Sequence, residues 1–218
     1  MSGRSVEFWF DYSSPFAYLA AQRIEALCAR AGADLQFEPF LLGALFKEIG
    51  TPIVPLQTFA PAKQRYLLQD LERWARRYEI PFRWPSHFPM NTVRALRLTL
   101  LAPEAKRAAL VRGLFTAYWA ADRDLSDEAV LREVLGEAGL PEALLGETSQ
   151  PEVKASLFEQ GRRAVERGVC GAPFFFVDGR PFWGQDRMHF VEAALSGWRA
   201  TAEIQDAFPK VEADEVNP

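Results

Sequence analysis

Ser13 and Ser14 stand in FDYSSPFAYLA, residues 10 to 20, where an aromatic run meets a proline and the first turn of a predicted helix. A hydroxyl at such a corner can cap the helix by accepting from a first-turn N–H, or donate to an anion drawn to the positive helix end. A serine nucleophile would need a neighbouring base, and neither of the chain's two histidines, His87 and His189, belongs to this corner. The serine-hydrolase reading therefore lacks its activator. The two cysteines, Cys28 and Cys170, are far apart and set in no metal-ligand pattern, so neither a disulfide framework nor a metal site is expected. Cys28 falls on the apolar side of the predicted helix as an ordinary buried thiol. Cys170 precedes the segment Gly171-Ala172-Pro173, and a Cys–His pair would require it to meet a histidine in space.

The elements that must position these groups follow from periodicity. SVEFWF, residues 5 to 10, reads as a buried or half-buried strand. A helix opens at Pro15 and places Phe16, Leu19, Ala20, Ile24, Leu27 and Cys28 on one stripe before Gly32 stops it. DLQFEPFLL is a second strand, which makes a β-α-β unit with a parallel pair. From about residue 43 to 165 strands disappear. A proline-rich loop, TPIVPLQTFAPAK, leads to a helix carrying Tyr66, Leu67, Leu71, Trp74 and Tyr78, with Tyr66, Trp74 and Tyr78 expected in the core. The loop IPFRWPSHFPMN ends at Asn91, a cap for TVRALRLTLLA. Further helices fit residues 103 to 122, 126 to 138 and 151 to 167.

Strand signal returns in APFFFVDGRPFWG, where Asp178-Gly179 predicts a two-residue hairpin. A last helix follows in GQDRMHFVEAALSGWR, with Gln185 or Asp186 near its start and Phe190, Val191, Ala194 and Leu195 on its apolar face. His189 is expected on its surface, and the tail from about residue 200 is polar.

The composition fits this picture. With 218 residues, 49% of them hydrophobic, the chain can bury a sizeable core. Its net charge is −4 and its 25 basic residues are interspersed with acids, which argues against a nucleic-acid partner. No apolar run approaches a membrane span and no signal-peptide core is evident, so a cytoplasmic location is expected.

The element order matches an α/β, thioredoxin-like fold with a large inserted all-helical domain. Residues 1–42 plus 166–200 would form the thioredoxin-like part, 43–165 the insertion and 201–218 a C-terminal tail. Such a fold places a proline, usually cis, before its third strand and opposite the first helix's start; Pro173 occupies that position. Redox relatives carry Cys-x-x-Cys at the corner, whereas this chain has Ser14 and Ala17, so it brings no thiol of its own for disulfide exchange.

On DYSSPFAYLA, LLGALFKEIG, FPMNTVRALR and RGVCGAPFFFVDGRPFWGQDRMHFVEAAL the chain resembles the 2-hydroxychromene-2-carboxylate isomerases and the related kappa-class glutathione transferases, within the DsbA-like branch of thioredoxin folds. The resemblance covers nearly the whole chain. It implies that Ser14 contacts the sulfur of bound glutathione, and that Ala172, Pro173 and the segment Trp183, Gly184, Gln185, Asp186 and Arg187 hold the rest of that cofactor. A free thiol has a pKa of about 8.5, so something must favour the nucleophilic thiolate. The first helix's N-terminus and a donating Ser14 hydroxyl suit that task. Helix N–H groups and the Asp186 carboxylate suit the γ-glutamyl end.

The resemblance further implies a glutathione-dependent isomerase of the cytoplasm, a homodimer, acting on a small aromatic carboxylate from aromatic-compound degradation. Lys47, Thr51, Trp84 with Phe82, and Asn91 with Arg94 are the candidate substrate contacts. Thr51 stands where relatives commonly have asparagine, and Cys170 where they often have an aromatic residue. Two alternatives stay open: a kappa-like transferase or peroxidase that consumes glutathione on other electrophiles, and a non-catalytic thioredoxin-like binding module. Capping by Ser14 or Asp186, surface solvation of Lys47 and core packing of Trp84 are the ordinary readings beside these roles.

Overall fold

Alternating apolar and aromatic residues drive the first strand, β1 (Ser5–Phe10), into the middle of a four-stranded sheet of order β2-β1-β3-β4. Its neighbours are the parallel β2 (Asp34–Pro39) and the antiparallel β3 (Phe174–Val177), which turns into β4 (Arg180–Trp183). The structure is a computed structural model that describes residues 4–199, so the expected tail at 201–218 lies outside the described residues. Asp178 and Gly179 both take positive φ, 48° and 80°, which is the left-handed backbone that a two-residue hairpin turn demands.

The crossover from β1 to the parallel β2 is α1 (Pro15–Ala31), which starts on Pro15 and stops at the left-handed Gly32. Between β2 and β3 runs a series of helices: α2 (Leu42–Glu48), α3 (Pro55–Thr58), α4 (Pro61–Arg77), α5 (Val93–Leu101), α6 (Glu104–Trp119), α7 (Glu128–Glu137), α8 (Leu144–Glu147) and α9 (Pro151–Glu166). A single 3₁₀ turn, Gln185–Arg187, then leads to α10 (Met188–Leu195). This is a thioredoxin-like fold with a helical insertion.

Period-two alternation divides β1 between two cores. Val6, Phe8 and Phe10 face α1 and the helices α5 to α7 in one continuous apolar cluster, which Phe175, Val191 and Leu195 also join. Trp9 points the other way, into a smaller cluster with Phe40, Leu45, Ala164, Phe174 and Phe176.

Four expectations are corrected. Tyr66 is exposed, because α4 buries only the stripe through Leu71 and Ala75. Phe190 is exposed and stacks on Trp198 at 5.6 Å, since the 3₁₀ turn rotates the start of α10 and gives its buried face to Met188, Val191, Ala194 and Leu195. The helix expected over residues 126 to 138 opens at Glu128, capped by Asp127, while Ser126 bonds Asp124 instead. The proline-rich segment after Thr51 is not all loop, because it contains the short α3.

Candidate active site

Ser14 caps α1 and faces the proline loop at once. Its hydroxyl accepts from Ala17 N–H at 3.2 Å and donates to the Ala172 carbonyl at 2.8 Å, across 158 residues of chain. The Ala172–Pro173 peptide is cis, and the Ser14 residue is only 4% exposed. Ser14 is thus a helix cap whose one proton is held by the proline loop. Pro15 has no N–H, and the amides of Ala17 and Tyr18 both go to Ser14. That leaves the Phe16 N–H as the first-turn donor with no partner among the described residues, at the positive end of a 17-residue helix. An anion at this corner finds a free N–H and a hydroxyl that can be redirected.

The segment after β4 closes the same corner. Gly184 N–H donates to Pro173 O at 3.0 Å, which ties this glycine to the proline loop. Trp183 is 58% exposed, and its indole lies over Gly171, where any Cβ would sit 2.8 Å from Nε1. Gly184 has φ of 102°, and a Cβ there would meet Asp186 Oδ1 at 2.5 Å, so the Asp186 carboxylate folds back over its own turn. It forms an ion pair with Arg187 that is half open to solvent. Gln185 is buried, and its Oε1 is within 3.4 Å of Arg23 Nη1. Arg23 in turn lies 3.5 Å from the centre of the Tyr78 ring, which links α1, α4 and the 3₁₀ turn. α10 starts only at Met188, so Gln185 and Asp186 present a short turn instead of the helix start expected for them.

Four of the candidate substrate residues are Lys47, Thr51, Trp84 and Asn91. Lys47 is exposed on α2, and Thr51 is half-buried with its N–H bonded to Phe46 O at 2.8 Å. Trp84 packs against Phe88 and Trp119, with ring centres 4.9 and 5.8 Å away. Asn91 Oδ1 accepts from Val93 N–H at 3.1 Å, so it serves the start of α5 as a cap would. Among the described contacts none joins these four directly to Ser14.

A residue that sequence reading passed over joins them indirectly. Asp11 is 1% exposed, and its carboxylate accepts from Ser13 N–H at 3.0 Å, Leu42 N–H at 2.8 Å and the Thr92 hydroxyl at 2.7 Å. Its carbonyl accepts from Ser14 N–H at 3.1 Å. The start of α2, which carries Lys47, and the start of α5, beside Asn91, are therefore fastened to the serine corner by one side chain. The next carbonyl, Tyr12 O, accepts from Trp119 Nε1 at 2.7 Å, and Trp119 supports Trp84. Burial pushes the Asp11 carboxyl above its ordinary range, more than the opposing hydrogen bonds pull it down. The one visible signal was an acid closing the aromatic run EFWFD.

The cysteines take no part in an activated thiol pair. Cys28 is buried, and burial raises its pKa to about 12. Cys170 is exposed, yet partial desolvation raises its pKa as well, so neither is poised as a thiolate.

A family model described as a DSBA-like thioredoxin domain matches residues 5–196. The chain is 32% identical over 195 residues to a 2-hydroxychromene-2-carboxylate isomerase of Pseudomonas putida, with 87% of this chain and 93% of that protein covered. Glutathione S-transferase kappa 1 of Caenorhabditis elegans is 27% identical over 207 residues, covering 87% and 90%. The solved structure of a selenomethionine-labelled 2-hydroxychromene-2-carboxylate isomerase superposes with a TM-score of 0.80 at 30% identity, over 88% of this chain and 95% of that one.

Proposed function

The chain belongs to the DSBA-like thioredoxin domain family, beside the 2-hydroxychromene-2-carboxylate isomerases, and on that premise we propose that it is an isomerase of 2-hydroxychromene-2-carboxylate or a similar aromatic carboxylate, working with glutathione as a cofactor that is returned. The observation that carries this reading is the Ser14 hydroxyl, held at the α1 N-terminus against the Ala172 carbonyl with no cysteine at position 14 or 17. Such a corner suits a thiolate brought from outside and does no disulfide exchange of its own.

The residues present fit that cofactor. The donor set at the corner is the Phe16 N–H, the helix dipole and the Ser14 hydroxyl, all of which favour an anionic sulfur over a neutral one. Ala172 offers backbone to a peptide group, and the turn from Gln185 to Arg187 offers both a carboxylate and a guanidinium to a zwitterionic end. Bound there, glutathione would supply a thiolate nucleophile for reversible addition to the conjugated substrate. Ser14, whose proton is held by Ala172 O, would hold that sulfur by turning the proton toward it. Lys47 stands on α2 to meet a substrate carboxylate, and Trp84 with Phe88 forms the aromatic wall fixed by Trp119.

The test follows 2-hydroxychromene-2-carboxylate by absorbance, with and without glutathione, while free thiol is titrated in parallel. We expect glutathione-stimulated turnover at constant thiol, and a loss of about 10²-fold in kcat for Ser14→Ala, the usual effect of removing one donor to a reacting anion. Turnover that is indifferent to glutathione would sink the reading. The similarity to kappa-class transferases supports a second one, in which electrophiles are conjugated; steady loss of free thiol during turnover selects it. Absence of glutathione binding selects a non-catalytic thioredoxin-like module.

A further inference from the structure

Arg23 is a half-buried arginine of α1 that makes no ion pair among the described residues. Arg30 and Glu192, the charged groups that face it, are paired with each other. Its guanidinium lies instead 3.5 Å from the centre of the Tyr78 ring, and that ring is stacked on Trp74 at 5.3 Å. The ring face fixes the plane of the guanidinium, and Nη1 donates to Gln185 Oε1 at 3.4 Å. A glutamate at position 185 would tie α1 to the 3₁₀ turn more strongly than this neutral amide does, so tying is not what the amide adds.

What it adds is direction. An arginine has N–H donors and no acceptor, so Gln185 must give its oxygen to Arg23 and turn Nε2 away. Gln185 is only 2% exposed, and Nε2 makes no hydrogen bond among the described residues. It is not sealed in, because Arg97 Nε is the one side-chain nitrogen or oxygen among those residues that is both enclosed and unpartnered. A nearly buried side chain thus shows a visitor a single N–H₂ edge. The next residue supplies a carboxylate, that of Asp186, half open to solvent although it is paired with Arg187. A donor edge followed by a carboxylate matches a carbon that carries both a carboxylate and an ammonium group.

We propose that Arg23 is a positioning residue: by holding Oε1 it fixes the Gln185 amide as a donor to the α-carboxylate of a γ-glutamyl group, and the Trp74–Tyr78 stack holds Arg23 for that task. The inference rests on glutathione as the cofactor of the Ser14 corner. Arg23 itself does not touch the cofactor. Without it the amide is free to flip and set its oxygen against the carboxylate, which exchanges an attraction for a repulsion.

The probes are glutathione, γ-aminobutyryl-cysteinylglycine, which lacks only the α-carboxylate, and glutaryl-cysteinylglycine, which lacks only the α-ammonium. Each is titrated into the full-length protein by calorimetry under reducing conditions. The unmodified protein should bind glutathione about tenfold more tightly than either analogue. Arg23→Met, which keeps an apolar stem on Tyr78, should lose most of the preference over the aminobutyryl analogue and keep the preference over the glutaryl one. Arg23→Lys retains a head that only donates and should restore what methionine loses, which damage to the fold cannot imitate. Gln185→Met should lose the same preference, and the double variant no more than either single one, because the two side chains act as a unit. If Arg23→Met weakens all three ligands equally, Arg23 is a structural tie and the proposal fails. It also fails if the two losses add, since Arg23 would then meet the carboxylate itself. Both of these outcomes leave the cofactor reading standing, whereas a protein that binds no glutathione at all overturns the two together.

Discussion

At Asp11 one carboxylate, stripped of water, holds three donors from three different elements. Its pKa lies above the ordinary 3.8 in the folded protein because burial penalises the charged form. The folded state therefore binds the proton more tightly than the unfolded chain, and the stability this group contributes is greatest at low pH and is lost as pH rises through its folded pKa. In Asp11→Asn an amide N–H₂ would confront one of these donors, at a cost of about 1–3 kcal/mol. Urea denaturation between pH 4 and 7 should show the variant less stable and its deficit narrowing as pH rises; a constant deficit would refute the linkage. Gly171→Ala brings a methyl onto the Trp183 indole, and since that ring is largely exposed it should swing away. Glutathione affinity should fall several-fold with little change in thermal midpoint, checked by calorimetry beside a melting curve. Ser14 was legible because its partners are local in kind: a strand end, a proline, a helix start. Asp11 was not, because Leu42 and Thr92 lie 31 and 81 residues away and nothing local marks them as its partners.

Elements were readable where the chain carries its own punctuation. Pro15 and Gly32 bracket α1, Asp178-Gly179 makes the hairpin, and Pro151 opens α9. Reading failed where a start is decided by competition. At α7 both Ser126 and Asp127 are good caps, and Ser126 is engaged with Asp124 while the Asp127 carboxylate accepts from Ala129 N–H at 2.8 Å. Asp127→Ala should lower stability by about 1 kcal/mol in urea denaturation, whereas Ser126→Ala should change it by less than half of that. In the final segment Gly184 imposes a 3₁₀ turn first, which shifts the helical phase and moves Phe190 out of the core. Periodicity alone does not carry that phase.

Across the whole molecule the helices between β2 and β3 share their main apolar cluster with β1 and α1: Phe10, Tyr12 and Tyr18 pack on Phe115. Tyr12 OH lies 2.6 Å from Thr99 Oγ1, whose own proton goes to Ala95 O, so the tyrosine is the donor of a buried bond between frame and insertion. With no apolar boundary between the two, thermal unfolding should be one transition, in which tryptophan fluorescence and far-ultraviolet circular dichroism coincide; two separated midpoints would show that the helical part melts alone. No helix among the described residues is long and apolar enough to cross a membrane. The sequence conveyed the order of elements and the place of the corner. It did not convey the bond from Arg23 to Gln185, which stand 162 residues apart and meet only on packing.

The hydrogen bond from Ser14 to Ala172 also sets a rule of entry. The hydroxyl has one proton and Ala172 O holds it, so a visitor that draws the proton away leaves that carbonyl bare unless it brings a donor of its own. A sulfur anion attached close to a peptide N–H satisfies both demands at once; a plain alkyl thiol satisfies one and strands the other. The corner thus discriminates by conjunction, and small thiols such as 2-mercaptoethanol should remain poor substitutes at any concentration that leaves the fold intact.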